Sequence, residues 1–229
     1  MRVVYVCLAA GAVFAVYING VAEGWWHAWG EKPSVAAPIA PAVNPTPAPS
    51  LSSEAAMSGG YQIGPDGVLV RPAQFAADTY TKPELPEEAK ENTERGAEAA
   101  AEHYLALLVY AWNTGDTQPF ADMSAPTSKF ASDYIKDVNE QYANGWNYGM
   151  ESNITYVLRV EPIEANGDDV PEGSILVKFR TETDDGTSCT RTRLQSTSTT
   201  YQSTVTFIMT WKDGGWKEVQ GRTVGDDED

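Results

Sequence analysis

Histidine and cysteine, which supply most catalytic bases, thiol nucleophiles and zinc ligands, are nearly absent from this chain. Each occurs only twice among the 229 residues, as His27, His103, Cys7 and Cys189. There is no CxxC pair and no cluster of histidine with cysteine, so a structural zinc ion has no ligand set. The two cysteines lie far apart in sequence, and we expect no disulfide between them. The sequence predicts no metal and no cofactor.

Basic residues are also scarce. Lysine and arginine together number 16 against 32 aspartates and glutamates, a formal net charge of −16. Nucleic-acid binding requires clustered cations rather than an excess of carboxylates, so nucleic acid is excluded as a partner. The same charge disfavours docking on anionic lipid headgroups. No GxSxG motif is present, so the serine-hydrolase nucleophile turn is missing.

Only one long apolar run occurs, from Val3 to Ala22, about the thickness of a bilayer. Arg2 precedes this run, and three tryptophans follow it at Trp25, Trp26 and Trp29. This arrangement predicts a single-pass membrane anchor within residues 1–32, with the rest of the chain outside the cytoplasm. The alternative is a signal peptide cleaved near Ala22, because Gly20-Val21-Ala22 resembles a cleavage site. Both interpretations predict export.

Residues 33–60 are rich in proline, alanine and serine. Such a composition buries too little apolar area to offset its ordering entropy, so we expect a disordered linker. Residues 61–86 form a lead-in segment, in which Gly64-Pro65-Asp66-Gly67 signals a turn and Val68-Leu69-Val70 a brief edge strand. Residues 225–229, "GDDED", are an acidic tail.

The folded domain is predicted at residues 87–224, and three helices come first. Thr93 can cap a helix that runs to Trp112, and Gly115 can end it in the left-handed conformation. A short helix containing Pro119 follows. A third helix is predicted from about Ser128 to Asn144, stopped by the glycine that follows.

The remainder of the domain has strand patterns. Three segments alternate apolar and polar residues: Ile154-Tyr156-Leu158-Val160, Ile175-Val177-Phe179 and Val205-Phe207-Met209. Hairpin turns are predicted at Asn166-Gly167, Asp185-Gly186 and Asp213-Gly214-Gly215. The Thr/Ser-rich residues 187–204 predict exposed polar strands. The order of elements indicates an α+β fold, with about three helices packed on an antiparallel sheet of four or more strands.

The helix, "NTGDTQPF", helix and terminal "FIMTWKDGGWKEV" together resemble an uncharacterised family of exported actinobacterial proteins. Its members look like the ketosteroid-isomerase and nuclear-transport-factor superfamily, also called cystatin-like. The resemblance covers about residues 83–224 and implies long helices lying across a strongly curved sheet, forming a cone. Two features depart from the pattern. No strand signal lies between Gly115 and Ser128, where the superfamily inserts a hairpin, and "SAPTSKFAS" replaces a cysteine pair found in relatives.

Three residues are candidates for chemistry. Asp116 follows a helix-ending glycine and precedes Pro119, so we interpret it as a capping residue rather than a general base. His103 lies one position off the apolar stripe of the first helix, which is typical of a structural histidine. Cys189 alternates with Arg191 and Arg193 on a predicted strand, and two cations on its face would lower the thiol pKa.

The domain is rich in aromatic residues. They are interpreted either as core packing or as rings lining a ligand-binding cone. The set comprises Tyr104, Tyr110, Trp112, Tyr134, Tyr142, Trp146, Tyr148, Tyr156 and Tyr201.

These features assign no catalytic, cofactor-binding or metal-binding residue. The leading hypothesis is a membrane-anchored extracytoplasmic protein with a noncatalytic binding domain. It would contact the membrane through its N-terminal segment and bind an unknown envelope protein or component. The alternative is a binder of small lipophilic ligands, or an enzyme of ketosteroid-isomerase type, that uses the cone.

Overall fold

Three α-helices precede most of the strands in the structure, a computed structural model that describes residues 57–58, 60–167 and 169–225. The predicted anchor (1–32), nearly all of the predicted linker (33–60) and the tail beyond Gly225 lie outside the described residues. No helix in the described part of the chain is long and apolar enough to span a bilayer.

The helices begin and end at the predicted signals. Helix α1 spans Glu94–Thr114, α2 spans Gln118–Asp122 and α3 spans Lys129–Asn144. Thr93 Oγ1 accepts the Gly96 N–H at 3.0 Å, and Ser128 Oγ accepts the Ala131 N–H at 3.0 Å. Gly115 ends α1 with φ +81°. These caps satisfy N–H and C=O groups that the helix itself leaves without partners.

All strand pairs of the three sheets are antiparallel. The strands are β1 (Met57–Ser58), β2 (Tyr61–Gln62), β3 (Gly145–Tyr148), β4 (Glu151–Pro162), β5 (Ile175–Asp184), β6 (Thr187–Thr190), β7 (Arg193–Ser196), β8 (Thr200–Lys212) and β9 (Gly215–Gly225). They form sheets with the orders β1-β2, β3-β6-β7 and β4-β5-β8-β9. Short 3-10 helices occupy Ala73–Phe75, Ala77–Thr79 and Glu87–Lys90. The predicted α+β architecture of three helices with antiparallel sheets is confirmed.

The predicted turns have different outcomes. Asp213 and Gly214 both have positive φ and join β8 to β9 in a hairpin, as expected. The hairpin predicted at Asp185-Gly186 is wrong, because the chain there leaves the four-stranded sheet and starts β6 in the three-stranded one. All ten residues of β5 pair with β8. Strand β6 has only four residues, too few to replace that pairing.

The main core lies between α1 and the four-stranded sheet. Tyr104 of α1 is fully buried, stacked on Phe120 at 4.4 Å and edge-on to Phe207 of β8 at 5.1 Å. Phe130 of α3 meets Phe207 at 5.5 Å and lies over Gly221 of β9. These rings therefore join all three helices to the sheet.

Strand β4 departs from the alternation expected of it. Its register against β5 shifts between Ile154 and Tyr156, and again between Val157 and Arg159. Each bulge adds a residue, and a one-residue slip moves the following side chains to the other face. Ile154 and Val160 pack on the core, but Tyr156 stands opposite Arg180 on the far face. The prediction that Tyr156 shares their face is wrong.

A small apolar cluster attaches the lead-in segment to the three-stranded sheet β3-β6-β7. Leu69 is buried beside Trp146 and Cys189. Its N–H donates to Arg191 O at 2.8 Å, and its carbonyl accepts from Trp146 Nε1 at 2.6 Å. Two residues later, Arg71 donates to the Asn113 carbonyl, near the end of α1, at 2.6 Å. We call these bonds the lead-in clip.

Replacing Gly221 by Ala tests the packing of α3 on β9. The added Cβ would lie 2.5 Å from Cγ of the Phe130 ring, which is a severe overlap. Overpacking of this kind costs roughly 1–3 kcal/mol in the free energy of unfolding. Urea denaturation measures this loss. The matched change is Gly215→Ala, where no atom lies within 4 Å and we expect almost no effect; equal stabilities of the two variants would contradict the packing described.

Candidate functional site

The interior contains one carboxylate that sequence reasoning missed. Glu218 of β9 is fully buried and stands opposite Met209 of β8. The Tyr104 hydroxyl donates to its Oε2 at 3.0 Å, and the same hydroxyl is 2.8 Å from Ser124 Oγ. Its Oε1 accepts no hydrogen bond from the described residues. The sequence pattern of β9 is typical of a half-exposed strand, in which a glutamate is expected to face water. The burial of Glu218 was therefore not predicted.

Burial sets the ionisation of this pair. It raises the pKa of Glu218, and the nearby hydroxyls of Ser128 and Tyr104 oppose that shift by favouring the ionised form. Burial and the adjacent Glu218 also raise the pKa of Tyr104. The raised pKa favours the protonated carboxyl, and a protonated carboxyl beside a phenol is chemically able to act as a proton donor.

No room for a substrate adjoins this pair. The rings of Tyr104, Phe120, Phe130 and Phe207 pack against one another in the space that a ligand would need. Glu218 does not line the three surface grooves formed by residues 102–157, 80–153 and 127–221. The pair is therefore part of a packed core in which one carboxyl oxygen has no partner among the described residues, rather than of an open active site.

Asp116 and His103 have structural roles. Asp116 is exposed, and its Oδ1 accepts the Gln118 N–H at 3.1 Å, which stabilises the turn that enters α2. The N-cap position itself belongs to Thr117. His103 is buried rather than at the boundary as expected, and burial lowers its pKa. Among the described residues, neither side chain forms a hydrogen bond with Glu218.

Cys189 is not an activated thiol. It is fully buried, and burial raises its pKa to about 11. The predicted pair of arginines on its face is wrong. Arg191 lies in the β6–β7 turn with φ +55°, and Arg193 pairs with Thr190, on the opposite face of the strand from Cys189.

The most accessible recognition feature is on β4, at one edge of the four-stranded sheet. Tyr156, Val157 and Leu158 are 70%, 44% and 50% exposed. A groove of about 450 Å³ runs beside them, between residues 152–157 and the α1 residues Glu102, Leu105 and Ala106. A second groove of about 310 Å³, lined by Tyr80 and Tyr110, adjoins it. We call Tyr156, Val157, Leu158 and the first groove the β4 edge surface.

Two properties make this surface suitable for binding. An edge strand offers backbone N–H and C=O groups that a further extended segment can pair with. Three consecutive exposed apolar side chains along an edge strand also offer apolar area that a partner can cover. In the sequence, the only signal was the nearly continuous apolar run "ITYVL", which we interpreted as a half-buried strand.

The model of a family described as of unknown function, DUF6318, matches residues 73–221. No curated protein matches the chain.

Among solved structures, the intermembrane-space region of the chloroplast protein ARC6 is similar, with 12% identity and a TM-score of 0.46 over 58% of this chain and 98% of that one. A ketosteroid isomerase-like protein from Erwinia carotovora atroseptica has 16% identity and a TM-score of 0.36, covering 57% and 93%. A cystatin-like protein from Caulobacter vibrioides has 14% identity and a TM-score of 0.36, covering 58% and 92%. These resemblances are remote.

Glu218→Gln tests the ionisation of the buried carboxyl. The folded-state pKa of Glu218 is raised above the ordinary glutamate value of 4.5, so its contribution to stability is complete below that value and is lost as pH rises through the folded pKa. We expect the stability of the wild type, relative to the Gln variant, to fall with rising pH and then level off. Urea denaturation of both proteins across pH measures the difference, and parallel pH profiles would exclude the raised pKa.

The thiol of Cys189 provides a second test. In a Cys7→Ser chain, where Cys189 is the remaining cysteine, we expect very slow reaction with a maleimide at pH 8. The rise in pKa from 9.0 to about 11 alone lowers the thiolate fraction about a hundredfold, and burial adds a steric barrier. Samples quenched at successive times and analysed by mass spectrometry give the rate of maleimide labelling. The same chain in urea should react at the rate of a free thiol; equal rates with and without urea would contradict the buried position.

Proposed function

The chain belongs to the family of unknown function DUF6318, and we propose that its α+β domain is a noncatalytic binding module. In this proposal an anchor in residues 1–32 holds the protein in the cell membrane, and the linker at residues 33–60 carries the domain outside the cytoplasm. The partner is a protein or another component of the cell envelope. The apolar run and the low-complexity segment support export.

The observation that carries the binding role is the contrast between the inside and the outside of the domain. The inside is filled by its own aromatic side chains, and its carboxyl group is enclosed. The outside presents the β4 edge surface, where Tyr156 and Leu158 expose half or more of their area to water. Burial of such side chains by a partner would contribute roughly 1.5–3 kcal/mol each.

A second candidate function is a small-molecule binder or enzyme of ketosteroid-isomerase type. The hydrogen bond between Tyr104 and Glu218 favours it, because a carboxyl group with a raised pKa beside a phenol resembles the donor pairs that stabilise an enolate oxygen. The packed rings around the pair oppose it, since a substrate would have to displace Phe120 or Phe207.

We expect the variant Tyr156→Ser with Leu158→Ser to lose the native partner while remaining folded. Both side chains are largely exposed, so the melting temperature should change little. In-cell crosslinking of the full chain, followed by mass spectrometry, compares the crosslinked products of wild type and variant. The matched control is Val70→Ser with Leu85→Ser, which removes two other apolar side chains that are 42% and 41% exposed.

Identical crosslinks from wild type and the β4 variant would exclude the β4 edge surface as the binding site. Fractionation of the same cells tests the location. Recovery of the full chain from the cytosol would exclude the anchored, extracytoplasmic arrangement.

A further inference from the structure

The outer face of the four-stranded sheet, opposite the helices, concentrates positive charge. Residues directly paired across strands share a face, so the register defines which side chains stand together. On β5 the buried residues alternate with half-exposed ones, and the latter define the outer face. Its central rows, read from β4 to β9, are Tyr156–Arg180–Thr204–Val224, Arg159–Lys178–Thr206–Arg222 and Glu161–Leu176–Ile208–Gln220.

Four cations therefore occupy these rows against a single acid, Glu161. This is the reverse of the whole chain, in which acids outnumber bases by 32 to 16. We call Arg159, Lys178, Arg180 and Arg222 the cationic sheet face. The row beyond Arg180 contains the acidic residue Glu182, so the cationic rows end there.

The arrangement works against the stability of the isolated domain. Arg159 and Lys178 are directly opposite each other, and like charges in that position repel. The ion pair of Arg159 with Glu161 at 2.7 Å joins two side chains that are 58% and 38% exposed, so it offsets little of this repulsion. A local conflict such as that between Arg159 and Lys178 is typical of a functional surface.

Apolar side chains stand among the cations. Tyr156 lies beside Arg180, and Leu176 and Ile208 form the row next to Lys178. A phosphate polymer or a sugar acid would use the cations alone. A polypeptide that carries both acidic and apolar side chains would use both kinds of residue.

The spacing also suits a polypeptide. Lys178 and Arg180 are two positions apart on one strand, a separation of about 6.7 Å, which equals the repeat of side chains on one face of an extended chain. The net charge of −16 repels an extended anionic surface, which experiences the field of the whole molecule. A short acidic segment lies within a Debye length of about 8–10 Å, where the nearby cations dominate.

We propose that the cationic sheet face binds an extended, acidic segment of a protein partner, with Lys178 and Arg222 as the residues that select for negative charge. This inference rests on the proposed binding function and specifies its partner. Tyr156 belongs both to this face and to the β4 edge surface, so the two surfaces meet at that residue.

The test uses the full chain and a short fluorescent peptide rich in Glu, Asp and Val, measured by fluorescence anisotropy. We expect saturable binding that weakens as salt increases, and no comparable binding of the same peptide with Gln and Asn in place of the acids. Lys178→Glu with Arg222→Glu should weaken binding at least about tenfold, which corresponds to about 1.4 kcal/mol.

The matched control is Lys129→Glu with Lys136→Glu on α3, which changes the net charge equally but away from this face. Circular dichroism melting confirms that both variants are folded. Equal affinity of the wild type and the Lys178/Arg222 variant, or equal affinity for the acidic and amide peptides, would overturn the inference. Tighter binding to phosphatidylglycerol than to phosphatidylcholine vesicles, lost in the Lys178/Arg222 variant, would assign the face to lipid headgroups and overturn it as well.

None of these results depends on the crosslinking experiment. If crosslinking is abolished in the Tyr156/Leu158 variant but the acidic peptide fails to bind, the proposed function stands and the nature of its partner is wrong. If the peptide binds as expected but no envelope partner is crosslinked, the cationic face stands and the envelope role is wrong.

Discussion

The position of the Tyr104 side chain determines much of the domain's organisation. Its ring fills the space between α1 and the sheet through contacts with Phe120 and Phe207, and its hydroxyl meets the buried carboxyl of Glu218. One residue thereby connects α1, α2, β8 and β9. Because the volume between helix and sheet is occupied in this way, the chemistry available for recognition lies on the outer surfaces of the domain.

Local signals in the sequence were sufficient for the helices and for one hairpin. Thr93, Gly115 and Ser128 act within a few residues of their own positions, so their roles are visible without tertiary structure. The pairing of β5 with β8 is different, because it joins residues far apart in sequence. The bulges of β4 are also invisible locally, since an inserted residue leaves the composition of a strand unchanged.

The candidate sites were harder to predict than the fold. Glu218 lies beside a bulge in β9, and its buried hydroxyl partner is a tyrosine more than a hundred residues earlier, so neither feature is visible from the local sequence. The cationic sheet face depends on the register of four strands, whereas the net charge is only a sum. That sum predicts against large polyanions as partners, but it could not reveal where the cations that remain are gathered.

The lead-in clip has a mechanical consequence. Leu69 bonds to Arg191 and Trp146, and Arg71 bonds to the end of α1. Tension applied to the chain ahead of Tyr61 is therefore delivered first to the three-stranded sheet and to the end of one helix. The segment between Arg71 and the start of α1 is bypassed by these bonds and bears the load only after the clip has parted. The clip thus shields the path into the first helix from a pull on the chain that precedes it.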